Sequence, residues 1–168
     1  MSATRALEVM AAWRAAADEL GLEIVSRRAG YGEPTLRGEF GPGTIRITRR
    51  CDTSACRVRF RARYDVGAPR LRAVAAGTRR RFRSPIVFDD DRFDGIVDVT
   101  GPDPAAIQAF LTPDRRAALS RLLFRFPTTV VRHHRLDLES HDISTTPARL
   151  LERGRAILTL VERLGPGG

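Results

Sequence analysis

In Arg57-Val58-Arg59-Phe60-Arg61-Ala62-Arg63-Tyr64 a guanidinium falls on every second residue, with an apolar or small side chain between. A helix advances roughly 100° per residue and would scatter that pattern around its axis. A strand sends alternate side chains to opposite faces, so here four arginines line one face and Val58, Phe60, Ala62 and Tyr64 the other. Neighbouring runs keep the phase. Ile45 and Ile47 alternate with Arg46 and Thr48, and Phe82 sits between Arg81 and Arg83. Pairing of these runs with the 57–64 strand would gather Arg46, Arg57, Arg59, Arg61, Arg63, Arg81 and Arg83 on one face, with Arg79 in the same phase. These eight residues are the candidate sites for an anion or a partner.

The charge is concentrated as well as patterned. Residues 43–83 hold thirteen arginines and two acids, whereas the chain carries a net charge of +9 over its 168 residues. The flanks are nearly neutral. All 29 basic residues are arginine. A GC-rich genome accounts for the missing lysines but not for their replacements collecting in one quarter of the chain. Arginine's planar fork pairs bidentately with carboxylate or phosphate and stays charged.

The chain is long enough for one ordinary domain with a real core. Residues 4–20 have helical periodicity in Leu7, Met10, Trp13 (or Ala11), Ala17 and Leu20, with Gly21 as a stop. Strands are expected at 22–28, 35–40, 44–51, 56–66 and 79–87, with a less regular run at 70–75, and one more at 96–100. Gly- and Pro-rich turns separate several of them, as in an antiparallel meander. Asp103-Pro104 and Thr112-Pro113-Asp114 open two helices, the second burying Leu119, Leu122 and Leu123 and broken at Pro127. Runs 130–132 and 136–139 form a hairpin around His133-His134. A last helix spans 147–164, capped by Thr145 or Thr146, with Leu150, Leu151, Ile157, Leu158, Val161 and Leu164 on its stripe. The expected fold is a single α+β domain over residues 1–164. An antiparallel sheet carries an N-terminal helix, two central helices and a C-terminal helix mainly on one face, and 165–168 form a frayed tail.

No apolar run nears the roughly 18 residues of a membrane span. Charges at Glu8, Arg14, Asp18 and Glu19 interrupt what would be a signal peptide's apolar stretch, so a cytoplasmic protein is expected. Like charges opposite one another destabilise a sheet, which calls for a compensating anion; a plain solvated face written in arginine is the equal alternative. An acidic protein or another polyanion fits. Nucleic acid is the next candidate, through phosphate contacts alone. Phe60, Tyr64 and Phe82 fall on the core phase, so the face has no platform for stacking bases. Peripheral contact with an anionic membrane also fits the charge. An internal source of acid is the other option: Asp89, Asp90, Asp91 and Asp94 follow the basic region and could fold back on it.

Other residues suggest little chemistry. Cys51 and Cys56 bracket a hairpin loop on the inward phase; a disulfide fits the geometry, but two buried thiols suit a reducing cytosol better. Their spacing from His133, His134 and His141 matches no zinc pattern, and the contiguous aspartates lack the alternate spacing of a calcium loop. His133-His134 reads as an exposed turn. No nucleophile elbow, phosphate-binding glycine loop or dinucleotide fingerprint appears, so no catalytic residue, metal or cofactor is assigned. An enzyme that holds a small anionic substrate between arginines is the weakest of the three readings.

Phe88-Asp89-Asp90-Asp91-Arg92-Phe93-Asp94, then Val97-Asp98-Val99, then Ala109-Phe110-Leu111-Thr112-Pro113 lead into a helix and a hairpin. Over about residues 86–138 this resembles the C-terminal domain of a family of uncharacterised bacterial proteins, many of them membrane-associated. The resemblance implies a fold with Phe88 and Phe93 as core anchors and solvated aspartates between them. It implies no catalytic residue.

Overall fold

The computed structural model describes residues 3–25, 34–51, 55–77, 85–141 and 146–165. Helix α1 (Ala3–Leu20) leads into β1 (Glu23–Ile24), β2 (Thr35–Phe40), β3 (Gly43–Cys51), β4 (Cys56–Tyr64) and β5 (Arg72–Ala75). The single turn α2 (Asp91–Asp94), β6 (Val97–Thr100), α3 (Pro104–Phe110) and α4 (Pro113–Arg125) follow. The hairpin β7 (Val130–Arg132) and β8 (Arg135–His141) and the helix α5 (Pro147–Leu164) complete the chain. All eight strands pair antiparallel in one sheet of order β1-β2-β3-β4-β8-β7-β5-β6. The α+β class and its terminal helices are as the sequence led one to expect. The simple meander is not, because the β7–β8 hairpin wedges between β4 and β5.

That insertion changes the neighbours of the arginine strand. Both sides of β4 are taken, by β3 and β8, so the expected pairing with the 79–87 run is replaced by pairing with β8. Of that run only 85–87 are described, and they are not a strand, although Ile86 donates its N–H to the Val99 carbonyl at 2.8 Å.

The inward phase of the sheet and the buried residues of all five helices form one core. Ile47, Phe60 and Leu138 lie opposite one another across β3, β4 and β8 and are fully buried. The helices therefore cover one sheet face only. In α1 the buried set is Val9, Ala12, Trp13, Ala16 and Ala17, and the expected Leu7 is exposed. Small residues are chosen there because α1 lies close to α5: a Cβ on Gly154 would sit 2.6 Å from Leu20 Cδ1. In α5 the stripe is Leu150, Gly154, Ile157, Leu160, Val161 and Leu164, with Leu151 and Leu158 only half-buried.

Local signals set the helix starts. The Asp103 carboxylate accepts from Ala106 N–H at 3.0 Å, and proline follows at the first helical position. Thr146 caps α5 without a side-chain hydrogen bond, and Thr145 lies outside the described residues. Of the expected tail only Gly165 is described. It continues the helix hydrogen bonding and accepts from Arg115 Nη2 at 2.9 Å, so it is tied down.

Cys51 and Cys56 form a disulfide, which corrects the expectation of two buried thiols. The register places them directly opposite at the loop end of the β3–β4 hairpin, where Cys51 is exposed. Replacing both by serine is expected to lower unfolding free energy by about 2 kcal/mol, the chain-entropy value for so short a loop. The urea midpoint checks it, with reduced wild type as the control.

Candidate anion-binding face

The strands that bury Phe60 inward must turn Arg59 and Arg61 outward, and the register carries this logic across the sheet. Glu23, Arg37, Arg46, Arg61 and Asp137 form one row from β1 to β8. Thr44, Arg63, Arg135, Arg132 and Arg72 form the next, from β3 to β5. Arg50 and Arg57 lie opposite each other nearer the disulfide. Of the eight candidates, Arg46, Arg57, Arg59, Arg61 and Arg63 share one sheet face, which no described helix covers; Arg79, Arg81 and Arg83 lie outside the described residues. Phase alone could have added Arg37 and Arg50. Arg72, Arg132 and Arg135 join only because β7 and β8 sit where they do. Arg49, counted in the basic segment, points inward and is 5 % exposed, its Nη2 3.0 Å from Cys56 Sγ.

Asp137 is the hub of the face. Its Oδ1 lies 3.0 Å from Arg59 Nη2 and 3.1 Å from Arg61 Nε, and its Oδ2 2.6 Å from Arg135 Nε and 3.3 Å from Arg132 Nη1. Burial by itself would raise the pKa of this carboxyl. The hydrogen bond from Arg61 and the charges of Arg135 and Arg59 outweigh that and hold it below the usual aspartate range. It is thus an ionised counter-ion near neutral pH. Glu139 adds a weaker contact, 3.5 Å from Arg57 Nη1, with both side chains about half exposed.

Among the described residues the acids ion-paired with this face are on β8; Glu23 of β1 and Glu39 of β2 also stand on it, opposite Arg37 and Thr44, without an ion pair, and Asp90 and Asp94 bond within or beside the 89–94 turn. There Asp90 caps α2 through Phe93 N–H and pairs with Arg116 at 3.1 Å, while Asp94 accepts from Phe88 N–H at 3.1 Å. These two aspartates are tied into the turn, not simply solvated. Phe93 is buried and Phe88 half-buried, with ring centroids 4.9 Å apart.

Compensation is uneven. Asp137 and Glu139 serve the β4–β8 side. Arg37, Arg46, Arg50 and Arg63, toward β2 and β3, form no ion pair among the described residues. Two shallow depressions mark this half. One, of about 310 Å³, is lined by Thr35, Arg37, Thr44, Arg46, Arg61 and Arg63. The other, of about 250 Å³, shares Arg46 and Arg61 and includes Glu139.

At the hairpin tip His133 Nε2 and His134 Nδ1 are 2.7 Å apart. Burial first, then the neighbouring His134 and Arg70, lowers the His133 pKa, which leaves that ring neutral near pH 7. Among the described residues no three His, Cys, Asp or Glu side chains form a metal cluster, and no helix is long and apolar enough to cross a membrane. No family model, curated protein or solved structure matches this chain.

Proposed function

We propose that this chain is a non-catalytic binding domain that engages an acidic protein or another polyanion through the open arginine face. The observation that carries this reading is the uneven compensation. The β8 side supplies its own counter-ions, while Arg37, Arg46, Arg50 and Arg63 stand without one among the described residues. Arginines held in a rigid sheet without partners repel one another, and an arriving anion relieves that repulsion. The chemistry favours binding over catalysis, because the perturbed acid at the centre of the face is locked in its ionised form as an acceptor.

The test is fluorescence anisotropy with labelled poly-glutamate, a mixed-sequence DNA duplex and its single strand, at low and near-physiological salt. Wild type is expected to bind poly-glutamate, and the affinity to weaken about tenfold or more between the two salts. Arg46→Glu/Arg50→Glu/Arg63→Glu is expected to abolish binding while keeping the fold, since none of the three is ion-paired within the described structure. Absence of binding by every probe at low salt removes the reading. Binding of DNA but not of poly-glutamate moves the partner to nucleic acid.

A further inference from the structure

Within the arginine face the two depressions differ in one respect that selects a ligand. The second includes a carboxylate, Glu139, and so carries its own repulsion toward anions. The first is lined by Arg37, Arg46, Arg61, Arg63, Thr35 and Thr44 and by no acid; Glu23 and Glu39, opposite Arg37 and Thr44 in the register, stand outside the lining. Among the described residues, Arg61 is the one of these guanidiniums held in an ion pair, by Asp137 at 3.1 Å. About 310 Å³ lies within the range of small-ligand sites, roughly 300–1,000 Å³.

We propose that this depression is a binding site for a compact oligophosphate, two or more phosphate groups joined in one ligand. The inference rests on the polyanion reading above and names the chemistry that reading leaves general. Three guanidiniums without an ion pair among the described residues, beside the Asp137-paired Arg61, around so small a volume call for a ligand of matching charge density. Carboxylates bring one charge each on separate side chains, and three of them with their backbone would have to crowd into one depression. A terminal phosphate group carries about −1.5 to −2 and offers three acceptor oxygens, so two linked groups already balance the three guanidiniums without an ion pair among the described residues. Guanidinium forks take adjacent phosphate oxygens bidentately, and the threonine hydroxyls add donors at the wall. Every aromatic side chain in strands β2, β3 and β4 other than the half-buried Phe40 is buried on the opposite face, so phosphate rather than a base is what the site can read.

Isothermal titration of sodium tripolyphosphate into the full chain, in EDTA and near-physiological salt, tests this. Citrate serves as the carboxylate comparison and adenosine triphosphate as a second phosphate source. Tripolyphosphate is expected to bind one to one and at least about tenfold more tightly than citrate, with adenosine triphosphate close to it. Arg46→Gln and Arg63→Gln are each expected to weaken binding about tenfold, and Arg14→Gln, on the exposed side of α1, to leave it unchanged. The urea midpoint of each variant confirms its fold. Tripolyphosphate binding no tighter than citrate, or binding indifferent to Arg46 and Arg63, overturns the inference. So does adenosine triphosphate binding more than tenfold tighter than tripolyphosphate, since the base would then be read. If poly-glutamate still binds when tripolyphosphate does not, the oligophosphate site falls and the polyanion face stands. If neither binds, both fall.

Discussion

Asp137→Asn is expected to destabilise the protein by about 2–3 kcal/mol and, at the same time, to tighten its grip on polyanions. The carboxylate is 13 % exposed and meets four guanidiniums that are about a third exposed, so the network is partly desolvated. Removing the one charge leaves Arg59, Arg61, Arg132 and Arg135 repelling one another across β4, β7 and β8. A fully buried pair broken in this way loses about 3–5 kcal/mol, and solvent around these arginines reduces that figure. The freed guanidiniums become available to an external anion. Added tripolyphosphate or poly-glutamate is therefore expected to restore part of the lost stability in the variant and much less in wild type. Urea denaturation with and without polyanion reads both effects. A variant as stable as wild type would show that solvent already screens the network.

The same residue sets a pH dependence. Its pKa is lowered in the folded state. The stabilisation is therefore fully present above the unfolded value, about 3.9, and is lost as pH falls through the lower folded value. Wild type is expected to lose stability more steeply than Asp137→Asn below about pH 4. Acid titration of the urea midpoint for the two proteins measures the difference.

Phe60→Ala is expected to lower stability by about 4 kcal/mol, the larger of the two effects. Phe60 is fully buried in the central strand, between Ile47 and Leu138 on its neighbours, with helices packed over it. A cavity at that place cannot collapse without moving the sheet or α5. Phe60→Leu, which keeps most of the volume, is expected to lose about 1.5 kcal/mol or less. The urea midpoint should shift with an unchanged denaturant slope. Polyanion affinity measured where the variant is still folded is expected to stay within about twofold of wild type, because the outward side chains are untouched. A large loss of affinity would mean that the arginine face depends on the core beneath it more tightly than independent sites allow.

Phe60 and Asp137 also show how far sequence reading reaches. Phe60 was legible as a core residue from its own strand, because a period of two assigns each side chain to a face without reference to anything distant. The same argument placed Arg57, Arg59, Arg61 and Arg63 outward and Arg46 beside them. The caps at Asp103-Pro104 and the Thr112-Pro113 helix start were equally local, since a terminus satisfies its free N–H groups from the adjacent residues. The turn α2 was missed because a four-residue helix has no periodicity to display; Asp90 and Asp94 hold it by hydrogen bonds that look in sequence like surplus charge.

Asp137 was illegible as the hub for a different reason. Its own strand shows that it points away from Leu136 and Leu138, but not which strand lies beside it. An antiparallel partner is chosen by the packing of the whole sheet, and β8 enters beside β4 from more than 70 residues away. The 79–87 run carried a similar alternation and was the nearer candidate in sequence. Likewise the disulfide follows from a register that sets Cys51 directly against Cys56, and the alanine stripe of α1 from how closely α5 approaches at Gly154. By itself the sequence determined the fold class, most element boundaries and which face of β3 and β4 carries charge, because those depend on interactions within a few residues. The tertiary structure alone decided which acids neutralise that charge and which arginines stay without an ion pair among the described residues, because neutralisation is a matter of distance in space between strands far apart in the chain.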